Sequence, residues 1–284
     1  MKTDFMVIGA QKSGTSSLSK QIGGHPEICF SDREEPQYFN AVDDWRARLD
    51  EYHRLFQAKP GQLCGEGSTT YTFFPEYRDT PQRLFEYNSE LKFIYIMRHP
   101  VDRIASNYAW DLVRRMTDDH PDKAVLERPH YVNRSRYALQ IRPFLELFGR
   151  DKLLLLVFEE YIRDPVASLK QVAEYLGVSP TPFQELDISP KHASVGVDYR
   201  TKAGQALFNK KFVQKVAPYV PKGARALGTR PFKRRLHHKP EISNDVREAL
   251  GRLLADDVRA VEGLMGRRID LWRGEEKPVR GWEG

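Results

Sequence analysis

The chain has 284 residues, of which 40% are hydrophobic and 30% charged, and it carries a formal net charge of +6. That balance excludes a disordered or fibrous chain and fits one α/β domain spanning residues 1–284. The positive excess suits an anionic ligand but is too small and too evenly spread to require nucleic acid.

Phe5-Met6-Val7-Ile8 is an apolar run ending at Gly9, the pattern of a buried parallel strand. A polar turn, Gly9-Ala10-Gln11-Lys12-Ser13-Gly14, leads into a helix predicted over Thr15 to Ile22 and stopped by Gly23-Gly24 and Pro26. Ile28-Cys29-Phe30 and Leu63-Cys64 read as short strands. Between them, Trp45, Leu49, Tyr52 and Phe56 recur at helical spacing and predict a helix over Asp43 to Phe56. Leu91 to Met97 and Lys152 to Phe158 are strong strands. Helices are expected over Asp102 to Met116, over Asn133 to Phe148 (kinked or started by Pro143), over Pro165 to Leu176 ahead of Gly177, and over Asn244 to Met265. Residues 180–242, rich in Pro, Gly and Lys, are the least legible part. Strands separated by helices imply parallel βαβ units, hence a three-layer sandwich around a central parallel sheet of about five strands.

Cys29 and Cys64 belong to no C-x-x-C pair, so no metal site is expected; they read as two buried thiols of a reducing compartment, with one disulfide between them as the other reading. No apolar run approaches the roughly 20 residues of a membrane span. Asp4 to Ile8 reads as a core strand rather than a secretory signal, which points to the cytoplasm. The basic run Phe232 to Lys239 reads as a solvated loop.

Strand, glycine turn and helix make an anion site: successive N–H groups point into the turn, and the helix N-terminus adds partial positive charge. A nucleotide-triphosphatase loop has the form G-x-x-x-x-G-K-[ST]. Here Thr15 follows the second glycine, and the lysine stands inside the turn at position 12. A tight turn with no ligand is the other reading of the same residues.

Ile8 to Leu18, followed by His25-Pro26, resembles the 5'-phosphosulfate loop of sulfotransferases that use 3'-phosphoadenosine-5'-phosphosulfate (PAPS), and is most similar to the branch holding the heparan sulfate enzymes and bacterial relatives. The resemblance implies that Lys12, Ser13, Gly14, Thr15 and Ser16 hold the 5'-phosphosulfate and that Lys12 steadies charge on the departing phosphate. Phe93 to Tyr108 resembles the family's 3'-phosphate segment, which implies Arg98 and Ser106 as ligands. The physics agrees, since Arg98 ends a parallel strand, where open α/β sheets bind ligands. Taken alone, Arg98 also reads as a helix-start ion pair with Asp102. Val157 to Pro165 and residues 256–272, with Trp272, resemble scaffold features of the family, and Lys191 corresponds to its late cofactor-side lysine.

Sulfonate transfer needs a base for the acceptor's proton. Glu34-Glu35-Pro36-Gln37-Tyr38-Phe39 resembles the family segment whose glutamate is that base, which implies Glu35; Glu34 reads as solvated. The same residues also fit a surface acidic loop. Gly65 to Tyr71 resembles a family loop in which Gly67 here replaces a lysine, and Glu66 is a candidate to assist Glu35 or orient a neighbour. His25 and His99, beside prolines, read as packed or hydrogen-bonded. The expected reaction moves the sulfonate of PAPS to a hydroxyl or amine of a glycan or small-molecule acceptor, releasing PAP. Two other classes stay open: a P-loop kinase or NTPase, for which Glu159 or Glu160 would hold the metal, and a non-catalytic nucleotide-binding protein on the same scaffold.

Overall fold

The computed structural model describes residues 2–114, 116–117, 119–185, 198–200, 233–235 and 240–273. In chain order the elements are β1 (Phe5–Gly9), α1 (Thr15–Gly23), β2 (Ile28–Phe30), α2 (Tyr38–Ala41), α3 (Leu49–His53), β3 (Leu63–Gly67), a 3₁₀ turn (Thr69–Thr72), α4 (Thr80–Tyr87) and β4 (Lys92–Met97). They continue with α5 (Pro100–Val113), α6 (Pro121–Glu127), α7 (Pro129–Asn133), α8 (Tyr137–Phe148), β5 (Leu153–Val157), α9 (Phe158–Arg163), α10 (Pro165–Leu176), an antiparallel pair of β6 (Asp198–Arg200) and β7 (Lys233–Arg235), and α11 (Asn244–Met265).

Strands β1 to β5 form one parallel sheet in the order β2-β3-β1-β4-β5. Successive side chains of a strand point to opposite faces. Met6 and Ile8 therefore pack into one core with Phe93, Tyr95, α8 and an aromatic cluster of Tyr38, Phe39, Trp45 and Tyr52. Phe5 and Val7 pack into the other, with Leu18 and Ile22 of α1 and Leu169 and Val172 of α10. That is the expected three-layer α/β arrangement. The path reverses at β1: β3 returns to one side of it, and the next crossover places β4 on the other. Such a switch point opens a crevice at the carboxyl ends of the strands, and both β1 and β4 end there.

Local signals hold at several helix ends. Asp164 caps α10 by accepting from the Ala167 amide at 2.9 Å. Gly177 and Gly266 end α10 and α11 in the left-handed conformation. α5 opens two residues earlier than expected, with Pro100 in its first turn.

Three expectations are corrected. The helix over Asp43 to Phe56 shrinks to α3, because Trp45 turns into the aromatic core and its carbonyl accepts from the Tyr38 hydroxyl at 2.7 Å. The helix expected over Asn133 to Phe148 begins only at Tyr137, as α8, because Asn133 ends the separate α7, and Pro143 lies inside α8 rather than starting it. The bend between them brings the Ser135 hydroxyl onto buried Arg103 at 2.6 Å. Phe158 leaves the strand and opens α9. Cys29 and Cys64 stand opposite each other on β2 and β3, Cys64 buried and Cys29 half-buried. No helix among the described residues is long and apolar enough to cross a membrane.

Candidate active site

The turn after β1 and the start of α1 form a site open to an anion. Gly14 lies at φ 84°, and a Cβ there would stand 2.7 Å from the Phe158 ring, so only glycine fits. α1 begins with no side-chain cap and no acidic residue in its first turn, leaving its first N–H groups and their partial positive charge facing the crevice. Thr15 is buried and Ser16 exposed. The side-chain oxygens of Gln11 and Ser13 are buried without a hydrogen-bond partner.

Lys12 takes φ 70°, which is uncommon for a residue with a side chain. Its ammonium lies 5.9 Å from the centre of the Trp110 ring. Burial first, then the guanidinium groups of Arg98, Arg114 and Arg103, bring its pKa down to about 8, with Asp111 offsetting a little. Like charges gathered this closely, with too little counter-charge, describe a site suited to an anion.

Arg98 follows β4 and spreads over the Phe158 ring at 5.1 Å, while its carbonyl accepts from the Tyr137 hydroxyl at 2.6 Å. Asp102, its alternative partner, pairs instead with Arg247 at 2.6 Å. Ser106 is buried in the second turn of α5. Between them in sequence, Arg103 is fully buried, and burial brings its pKa down to about 10. Its guanidinium donates to the Gln11 carbonyl of the loop, to Asn107, to Ser135 and to the Tyr131 carbonyl. It ties α5 to the anion turn and adds positive charge beneath it. Lys191 lies outside the described residues.

Glu35 also adopts a left-handed conformation, at φ 50°, as does Gln37 at φ 54°. The Glu35 carboxylate accepts from the Thr69 amide at 2.8 Å and from the Thr69 hydroxyl at 2.9 Å. Burial raises its pKa, against the lowering effect of those bonds. Glu34 is exposed, and it accepts from the Ser16 hydroxyl at 3.1 Å. A cleft of about 420 Å³, lined among others by Thr15, Ser16, Phe30, Glu34, Glu35 and Thr69, joins the first turn of α1 to Glu35.

Behind Glu35, Glu66 is fully buried at the end of β3 and receives the hydroxyls of Tyr71 (2.8 Å), Tyr52 (3.1 Å) and Ser68 (2.7 Å). Its pKa rises to about 7, chiefly by burial. The remaining candidates have structural duties. Glu159 accepts from the His99 amide and from the Trp272 indole, and Glu160 pairs with Arg267. His25 is buried, bonded to the Ser179 carbonyl and packed on Phe183.

Residues 2–224 match the sulfotransferase domain family. The chain belongs to that family. It is similar to mouse heparan sulfate glucosamine 3-O-sulfotransferase 3A1, at 28% identity over 61% of this chain and 45% of the mouse protein, so it spans less than half the length of that relative. It is 33% identical to the Dictyostelium discoideum membrane-associated sulfotransferase kil1 over 38% of this chain and 23% of the other. Among solved structures, a sulfotransferase from Alicyclobacillus acidocaldarius superposes with a TM-score of 0.68 at 24% identity, covering 96% of this chain and 99% of that one. That likeness is one of fold.

Sequence reasoning missed three residues of this candidate site. Thr69 holds Glu35, Trp110 lies beneath Lys12, and Arg103 braces the turn. Arg103 left one trace: it stands between the apolar positions Val101 and Ile104, on a helix whose inward stripe would otherwise be uncharged.

Proposed function

We propose that this sulfotransferase moves a sulfonate from PAPS to a hydroxyl or amine of a glycan or small-molecule acceptor, with Glu35 as general base. The observation that carries the reading is the cleft that joins the first turn of α1 to Glu35. Lys12, in the turn that precedes α1, stands in a cationic group with Arg98, Arg103 and Arg114. PAPS, when bound, supplies the sulfonate and retains the electron pair of the broken S–O bond as PAP leaves.

The chain's own residues do the rest. The uncapped start of α1, with Ser13, Thr15 and Ser16, offers donors to the 5' end, and Ser13 has a buried hydroxyl in need of a partner. Arg98 and Ser106 are assigned to the 3'-phosphate, with Asp102 paired to Arg247 and Arg98 held over Phe158. Lys12 gains most from charge that develops on the departing phosphate, since its ammonium is disfavoured until an anion arrives. Glu35 takes the acceptor's proton. Thr69 fixes the carboxylate's direction, and burial makes it a stronger base than an exposed glutamate. Lys191 keeps a cofactor-side role on the strength of the resemblance.

Glu35→Gln tests the reading. The amide keeps the shape and loses the base, so PAP binding should persist while transfer from labelled PAPS, followed by mass shift in an acceptor screen, falls by about 10² to 10⁴. Transfer that survives Glu35→Gln would remove Glu35 from the mechanism. PAP should also raise the melting temperature without magnesium, by a free energy of about 2.7 kcal/mol at a hundredfold excess over Kd. Stabilisation by ATP–Mg²⁺ but not by PAP would overturn the donor.

A further inference from the structure

Glu66 is a buried carboxylate that the proposed mechanism does not use. No basic side chain pairs with it among the described residues, and a buried charge without a counter-ion is costly unless hydrogen bonds replace its water. Three hydroxyls do so, and each is itself oriented by a further donor. The Tyr52 oxygen accepts from Thr3 Oγ1 at 3.0 Å, and the Tyr71 oxygen accepts from the Phe39 amide at 3.4 Å. The third donor, Ser68, leads toward the active site. Its oxygen donates to Glu66 Oε2 and accepts from the Gln37 amide at 2.9 Å, and its own amide donates to the Val7 carbonyl of β1 at 3.0 Å.

Gln37 and Glu35 are the two left-handed residues of that loop. Left-handed backbone at residues with side chains persists only where the surroundings hold it. The Glu66–Ser68–Gln37 chain holds one end of the loop, and Thr69, the residue after Ser68, holds the Glu35 carboxylate itself. A glutamine at 66 would still fill the space, but its amide has one acceptor oxygen where Glu66 gives Oε1 to the two tyrosines and Oε2 to Ser68, so the link to Ser68 is lost.

We propose that Glu66 is a positioning residue for Glu35, acting through the Ser68 hydroxyl and the Gln37 amide. The inference rests on the reading of Glu35 as the base, but its measurement does not need turnover. The titratable groups that face Glu66 are Tyr52, Tyr71, Tyr87 and Glu35. The charge on Glu35 raises the Glu66 pKa, which places the two carboxylates within electrostatic reach of each other.

The experiment follows the Glu35 carboxyl by ¹³C NMR titration and the Gln37 amide by hydrogen exchange, in wild type, Glu66→Gln and Ser68→Ala, with PAP binding as the control. A loosened loop brings Glu35 out toward water. Since burial is the main cause of its raised pKa, its midpoint should then fall toward the ordinary carboxylate value in both variants. Exchange at Gln37 should speed up by about fivefold or more, the worth of one hydrogen bond of about 1 kcal/mol. PAP affinity should hold. A merely structural role predicts a lower melting temperature with the Glu35 midpoint and Gln37 exchange unchanged, and that result would overturn the proposal. Should Glu66→Gln fail to fold, Ser68→Ala decides alone, because it removes the link and leaves both tyrosines on Glu66. Failure of the base reading shows separately, as transfer that survives Glu35→Gln.

Discussion

Glu34 and Glu35 are adjacent in the chain, yet their carboxylates are fastened to different elements: Glu34 accepts from Ser16 on α1, and Glu35 accepts from Thr69 after β3. Both line the same cleft. Glu34 thus places negative charge beside the helix start that is proposed to receive phosphosulfate. Glu34→Gln should leave the rate of transfer near wild type and tighten PAP binding about two- to fivefold, the effect of roughly 0.3–1 kcal/mol on an anion at a helix N-terminus. Calorimetric titration checks it. A dead Glu34→Gln variant would move the base from Glu35 to its neighbour.

Lys12 gives a pH signature. With its pKa near 8 in the free protein, it is largely neutral at pH 8.5, and a bound polyanion favours its charged form. PAP binding should therefore take up a proton at pH 8.5 and almost none at pH 6.5, seen as a dependence of binding heat on the ionisation enthalpy of the buffer. Lys12→Ala should abolish the uptake and lower kcat by about a hundredfold or more. Uptake that survives the substitution would assign the proton to another group.

Arg98 should confer selectivity for the 3'-phosphate. Arg98→Ala is expected to weaken PAP by about ten- to a hundredfold, from a charge-assisted contact of roughly 1.5–3 kcal/mol, while AMP, which lacks that phosphate, changes little. Equal losses for the two nucleotides would make Arg98 a brace for Phe158 and nothing more.

Glu66 should leave its mark on stability. Its folded pKa, about 7, lies above the ordinary 4.5, so the folded state binds the proton more tightly than the unfolded one. The stability this confers is complete below pH 4.5 and is lost as pH rises through 7. At about 1.4 kcal/mol per pH unit the loss is roughly 3 kcal/mol. Denaturant midpoints at pH 5 and pH 8 should show Glu66→Gln gaining on wild type by an amount of that order at the higher pH. A pH-independent difference between the two proteins would mean that Glu66 does not titrate there.

The residues that carry local geometry were legible without a structure. A strand, Gly9 to Gly14 and a helix beginning at Thr15 fall within about twenty consecutive positions, and short-range patterning encodes them, as it does Asp164 and Gly177 at the ends of α10. Arg98 at the end of β4 follows from the same logic, and the parallel sheet follows from the alternation of strand and helix. What holds Glu35 was not legible. Thr69, Ser68 and Glu66 meet the loop of residues 35–37 only because β3 lies in parallel register beside β1, and Tyr52 reaches Glu66 only because the expected helix over Asp43 to Phe56 gives way to a turn that turns Trp45 inward. Arg103 is of the same kind: a charge in the buried stripe of α5 makes sense only once α7 and the anion turn close around it. Periodicity reports which face of an element is buried. It carries no record of which distant hydroxyl or carbonyl arrives opposite that face, and in this protein those arrivals orient the proposed base and brace the anion turn.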